Sequence, residues 1–275
     1  MRSWYRETRF ECGDYMDVNI YPVYTKTPYK RKKAKPTSET QQKINDKNAE
    51  QNLVRIANAN FTEEDMKVDL TYRKELRPQT YEDSQRELAN FLRRVKRARE
   101  RKGLPELKFI GVTETGKEQF NPHHHLIMSG GLDQNEISEL WGRGYTKTAG
   151  LIFDENGIAT LIGYMLKQLR EFIGKKKYTR SRNLVIPQAK KRDNHLSKKQ
   201  VKELAKDTEA RAEYEKLFEG YHLAQAKVVY NEANGGVYIY ARYYKQEAAW
   251  CRPKKKLNRS LYSGGRSSPK HNMRN

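Results

Sequence analysis

Two apolar stretches, "LKFIGVTET" (Leu107–Thr115) and "HHHLIMSGG" (His123–Gly131), constrain the fold of this chain most. Each reads as a strand, and the connection between them, with Gly116 and Pro122, is too short for a parallel crossover. The pair is therefore antiparallel. Around it the pattern gives a strand at Asp65–Arg73, a helix at Tyr81–Lys102, a short helix capped by Asp133, and a short strand with a turn in "GLIFDENG" (Gly150–Gly157). A last helix starts near Gly157 or Ile158 and runs to about Ile173. Strand, helix, strand, strand, helix, strand, helix implies an α+β fold with a central antiparallel β-sheet and flanking helices.

The chain divides into four segments. Residues 1–60 hold a strand at Tyr15–Tyr24, a basic stretch ending at Pro36, and a polar helix capped by Thr37 or Ser38 that reaches about Asn58. Residues 61–185 hold the core just described. Residues 186–250 hold one charged helix, Ser197–Gly220, and two strands within Leu223–Tyr244 joined by a turn at Asn234, Gly235 and Gly236. Residues 251–275 carry eight Lys or Arg and no acid, which reads as a disordered basic tail.

Charge narrows the partners. Lys and Arg number 55 against 34 Asp and Glu, a formal net charge of +21, which points to a polyanion and first to nucleic acid. Between Arg170 and Lys202 twelve Lys or Arg stand against two acids, Glu171 and Asp193. Lys175, Lys176, Lys177, Arg180 and Arg182 are the candidate DNA contacts there, with Arg93 and Arg97 on the long helix. A solvated helix face accounts for the last two equally well. Cys12 and Cys251 are too few and too distant for a disulfide framework or a zinc knuckle, which suits a reducing cytoplasm. The N-terminus lacks the apolar region of a signal peptide, and no apolar run approaches a membrane span. The expectation is a cytoplasmic protein with no membrane partner.

The histidines carry chemistry. On a strand, His123 and His125 share a face and His124 points away. Two imidazoles at this spacing can ligate one metal ion. Glu114, at the end of the preceding strand, can add a carboxylate if the two strands form a hairpin. Two histidines and one acid leave coordination positions open, as catalysis requires, although this ligand set alone does not choose the ion. In the helix after Gly157, residues Ile158, Leu161, Ile162, Met165, Leu169 and Phe172 form the apolar stripe. Tyr164 and Lys167 fall outside it, one turn apart. A tyrosine with a pKa near ~10 is a weak nucleophile at neutral pH. A divalent ion on a phosphate oxygen and a lysine beside the phenol would make it competent to attack a phosphodiester.

These motifs resemble the HUH endonuclease superfamily, and in particular its rolling-circle replication initiators. "DLTYR" (Asp69–Arg73) is similar to the family's first motif, "PHHHLIM" to its His-hydrophobic-His motif, and "GYMLK" to its Tyr-x-x-Lys motif. They occur in the family's order, across roughly Lys67 to Leu184. "VTETGKEQFNPHHH" and "YTRSRNL" resemble the branch containing filamentous-phage replication-associated proteins. The resemblance implies a Rep-type nuclease fold with a ferredoxin- or RRM-like core, and Tyr164 as nucleophile with Lys167 as its companion. It further implies Mg²⁺ or Mn²⁺ on Glu114, His123 and His125, single-stranded or hairpin origin DNA as substrate, and a 5′-phosphotyrosine intermediate. A phage- or plasmid-encoded protein of this kind works in the bacterial cytoplasm with a helicase and polymerase from its host; no Walker A pattern supplies a helicase here. His124 stands where the family has a bulky hydrophobe, and no second tyrosine lies within "YMLKQ". Related alternatives are a transposase or relaxase of a mobile element. Outside the superfamily stand a non-catalytic DNA-binding protein and an RNA-binding scaffold.

Overall fold

The computed structural model describes residues 3–25, 39–116, 120–167, 178–231, 235–248 and Cys251. In chain order the elements are β1 (Ser3–Cys12), β2 (Tyr15–Tyr24), α1 (Glu39–Asn60), β3 (Met66–Leu70), α2 (Tyr81–Arg101), β4 (Phe109–Glu114), β5 (His123–Met128) and α3 (Gln134–Trp141). They continue as β6 (Thr146–Gly150), α4 (Ala159–Lys167), β7 (Thr179–Arg180), β8 (Ala189–Asp193), α5 (Lys198–Lys206), α6 (Arg211–Glu215), β9 (Tyr221–Asn231) and β10 (Gly236–Lys245). The architecture is α+β, with the expected antiparallel sheet in the order β6-β3-β5-β4-β7 and a second five-stranded sheet in the order β8-β1-β2-β10-β9.

In the first sheet β4 and β5 form the expected hairpin, Glu114 standing opposite His123 and Val112 opposite His125. β3 pairs with the other side of β5, Asp69 opposite His125. Alternation gives this sheet two apolar faces. Val68, Leu70, Leu126 and Met128 pack on Leu88, Phe91 and Val95 of α2 and on Ile137 and Trp141 of α3. Ile110, Val112 and Ile127 pack on Leu53 and Ala57 of α1 and on Ile162 and Met165 of α4. Local chemistry sets the helix ends. The Thr80 hydroxyl accepts from the Asp83 N–H at the start of α2, and Asp133 and Glu136 form a capping box on α3.

Several sequence expectations change. β1 adds a strand before Tyr15. The strand placed in Gly150–Gly157 ends at Gly150, and the residues after it form a turn closed by a bridge between Asp154 and Gly157. The charged helix at Ser197–Gly220 is two helices, because the chain leaves helical geometry at Asp207, whose Oδ1 accepts from the Glu209 N–H. Thr37, Ser38, the chain from 168 to 177, Asn234 and residues 252–275 lie outside the described residues.

The second sheet draws β1 and β2 from one end of the sequence and β8, β9 and β10 from the other. One of its faces is apolar, with Val18, Ile20, Ile239 and Tyr243 against Val201, Tyr214 and Phe218. The opposite face meets α1 through charge. Asp17 of β2 accepts from Arg55 of α1 at 2.8 Å and from Arg242 of β10 at 2.7 Å, all three side chains being buried. Burial alone would raise the Asp17 pKa, but the two guanidiniums more than offset it and hold the carboxyl below its ordinary value. Asp17→Ala leaves two buried cations without a counter-charge and is expected to cost about 3–5 kcal/mol, read from urea unfolding. Because the folded pKa is depressed, this stabilisation is complete above the ordinary carboxylate range and fades as pH falls below it. The variant should therefore lose part of the parent's acid-limb pH dependence, and an unchanged unfolding midpoint would remove the triad from the stabilising contacts.

Candidate active site

β5 projects His123 and His125 toward the α4 side of the sheet and His124 toward the α2 side, because successive residues alternate. His125 is held at both ring nitrogens. Its Nδ1 lies 2.6 Å from Asp69 Oδ1 on β3, and its Nε2 lies 3.4 Å from Glu114 Oε2 on β4. Glu114 thus stands on the same face as the imidazole it was expected to meet. Asp69 is the partner that sequence reasoning missed. Lys67, two residues earlier on the same face, is a second; its Nζ lies 3.0 Å from Asp69 Oδ2. Burial works against the Asp69 charge, but His125 and Lys67 more than offset it and hold the carboxyl below its usual value.

Tyr164 reaches this group from α4. Its ring meets the His125 ring edge-on, with centroids 6.1 Å apart and planes at 78°, and Lys67 Nζ stands 5.3 Å from its centroid. Tyr164 is 49 % exposed, so the phenol opens to solvent. Lys167 is exposed in the last turn of α4, where it borders a small cleft with Asp46, Glu50 and Tyr178. The cation placed over the Tyr164 ring is therefore Lys67. The start of α4 is fixed from α1: Asn58 Oδ1 accepts from the Ile158 N–H at 3.0 Å. Gly157 has φ +70°, and a Cβ there would lie 2.4 Å from that same Asn58 oxygen. The turn has no room for a side chain.

His124 is a core residue. Its Nε2 is 2.8 Å from the Tyr72 hydroxyl and its Nδ1 2.8 Å from Thr113 Oγ1, which also accepts from Gln85 Nε2 at 2.6 Å. Burial, reinforced by the neighbouring histidines, pushes its pKa down to about 3, so the ring is neutral. It fills the place of a hydrophobe, with its polar atoms satisfied by a network that Trp141 packs against.

The donor chemistry fits a divalent cation at His125 and Glu114. An imidazole nitrogen and a carboxylate oxygen, His125 Nε2 and Glu114 Oε2, face each other at 3.4 Å, a mixed donor pair that suits such an ion, and Asp69 at Nδ1 would orient the ring. His123 stands partly buried across the register from Glu114. Among the described residues no three His, Cys, Asp or Glu side chains are drawn closely enough together to enclose an ion as they stand.

Of the basic candidates, Arg180 pairs in register with Ile110 and so lies on the α4 side of the sheet, exposed, with exposed Arg182 following. Arg93 and Arg97 are exposed on α2, across the sheet from Tyr164. Lys175, Lys176 and Lys177 lie outside the described residues.

An antiparallel sheet that sets a solvent-facing tyrosine against a carboxylate-held histidine is the arrangement found over β3 to α4, and the sequence of that stretch is similar to that of replication-associated proteins. Residues 65–169 match the family model for the replication-associated proteins of the ORF2 type. The match contains Lys67, Asp69, Glu114, His123, His125, Tyr164 and Lys167. No curated protein matches the chain, and no solved structure does.

Proposed function

We propose that this chain is a rolling-circle replication initiator of the HUH type, which nicks and rejoins single-stranded origin DNA through a 5′-phosphotyrosine on Tyr164. The observation that carries the reading is the half-exposed Tyr164 ring edge-on to His125, whose two nitrogens face Asp69 and Glu114. The match to the replication-associated family supports initiation of replication over transposition or conjugative transfer.

In this reading Tyr164 Oη attacks the phosphorus, the bond from phosphorus to the 3′ oxygen breaks, and the 5′ phosphate stays on the tyrosine. The phenolic proton passes to solvent and the departing 3′ oxygen takes one up, leaving a 3′-hydroxyl that primes synthesis. Attack by that hydroxyl, or by another, reverses the step and rejoins the strand. Mg²⁺ or Mn²⁺ held by His123, His125 and Glu114 would polarise a non-bridging phosphate oxygen. Asp69 fixes the orientation of the His125 ring, and Lys67 and Lys167 place positive charge near the phenol and the phosphate. Arg180 and Arg182, with Lys175, Lys176 and Lys177, supply phosphate contacts, and Arg93 and Arg97 are proposed as a more distant set. A helicase and a polymerase of the bacterial host complete the cycle in its cytoplasm. Among the described residues no helix is long and apolar enough to cross a membrane.

Incubation with end-labelled single-stranded origin DNA and Mn²⁺ should give a covalent protein–DNA adduct that a chelator suppresses. Tight DNA binding with no adduct under any divalent ion would instead identify a non-catalytic DNA-binding protein.

A further inference from the structure

The sheet face that carries His125 is only partly roofed. α1 and α4 cover Ile110, Val112 and Ile127, and Leu151, just past β6, is buried in the same cluster. Counting back along the strand from Leu151, the residues on this face are Ala149, Lys147 and Tyr145, and all three are exposed. The Tyr145 side is most open, at 78 % exposure. Register sets Ala149 beside Lys67 and Lys147 beside Asp69. Tyr145 stands beside Thr71, whose N–H and Oγ1 donate to its carbonyl at 3.0 and 3.1 Å. A shelf thus runs from the Tyr164 phenol across Lys67 and Lys147 to an uncovered aromatic ring.

Resting on the DNA-nicking reading, we infer that this shelf takes the single-stranded DNA flanking the cut, with one unpaired base stacked on Tyr145 and a phosphate at Lys147. The chemistry favours a single strand. An exposed aromatic ring next to a lysine matches an unstacked base joined to a phosphate, and stacking accepts any base because each has a π-face. A duplex keeps its bases stacked on each other and offers no such partner. The outer edge of β6 is not free to recruit a strand of another protein. Gln134 of α3 occupies it, donating from Nε2 to the Thr146 carbonyl at 3.0 Å and accepting from the Thr148 N–H at 2.8 Å. Recognition on this side goes through the face.

The test is single-strand affinity by fluorescence anisotropy in metal-free buffer, where no cleavage intervenes. Tyr145→Ala should weaken binding about ten- to a hundredfold, the range expected for loss of one stacked base, while Tyr145→Phe keeps the parent affinity. Removing bases one at a time from the oligonucleotide should reveal one position where the loss weakens the parent but not Tyr145→Ala. Parent-like binding by Tyr145→Ala, a Phe variant as weak as the Ala variant, or an abasic scan without such a position would each overturn the shelf. Self-association in sedimentation that Tyr145→Ala abolishes would assign the face to a second copy and likewise overturn it. The Mn²⁺ adduct assay keeps the two ideas separate: an adduct with undisturbed Tyr145→Ala binding sinks the shelf alone, and no adduct with lost binding sinks the nicking reading alone.

Discussion

Tyr164→Phe is expected to eliminate the covalent protein–DNA adduct while folding and single-strand affinity survive. The substitution removes one oxygen. Among the described residues that oxygen holds no hydrogen bond, whereas the ring keeps its edge contact with His125 and its place beside Lys67. The nearest downstream competitor, Tyr178, is partly buried against the cluster under α1 and α4 and is poorly placed to substitute. Phenylalanine offers no nucleophile, so the adduct should fall below detection rather than decline in proportion. Lys167→Ala, by contrast, should slow adduct formation without abolishing it, since its proposed contribution is charge. A gel-shift of denatured protein on labelled DNA reads both variants. An undiminished adduct in Tyr164→Phe would move the nucleophile to another residue and end the argument from α4.

His125→Ala should match that loss by a different route. Among the described residues it removes the one side chain that touches Asp69, Glu114 and Tyr164 together. Asp69→Asn keeps the ring but weakens its orientation, and a fall of about ten- to a hundredfold in adduct rate is expected for loss of such a support. His124→Ala provides the contrast, because that ring lies in the core and its removal leaves Tyr72 and Thr113 without their shared partner. Its signature should be a drop in stability of roughly 1–3 kcal/mol with the residual folded protein still forming adduct. If His125→Ala nicks normally, or if His124→Ala loses chemistry without losing stability, the assignment of the two neighbouring imidazoles is reversed.

What was legible in the sequence was local. The β4–β5 hairpin comes from two apolar runs with little chain between them, and α2 from Leu88, Phe91 and Val95 at helical spacing. The faces of His123, His125 and Tyr164 come from strand and helix periods alone. Asp69 and Lys67 were placed on a strand but given no role, since their meaning depends on register with a strand more than fifty residues away. β1 hid for another reason. Glu7 is buried there against His195 and Arg9, so a core position carries a charge and breaks the apolar alternation that marks a strand. The break in the charged helix had a visible cause in Asp207, a residue that prefers to bond its own following backbone. The second sheet was out of reach because its strands come from opposite ends of the sequence.

That last feature sets an order in time. The sheet bearing Asp69, His125 and Glu114 closes within one continuous stretch, so it can assemble while the rest of the chain is still being synthesised. β1 and β2 emerge before that sheet yet wait for β10, more than two hundred residues later, before the free edge of β2 is paired. Until then Asp17 has Arg55 but not Arg242, and the layer behind α1 is unfinished. Since Asn58 of α1 fixes the start of α4, strands made long after that helix help to steady the one that carries Tyr164. A chain cut short before β10 would carry every residue of the proposed active site and lack the brace behind α1 that holds the Tyr164 helix in place.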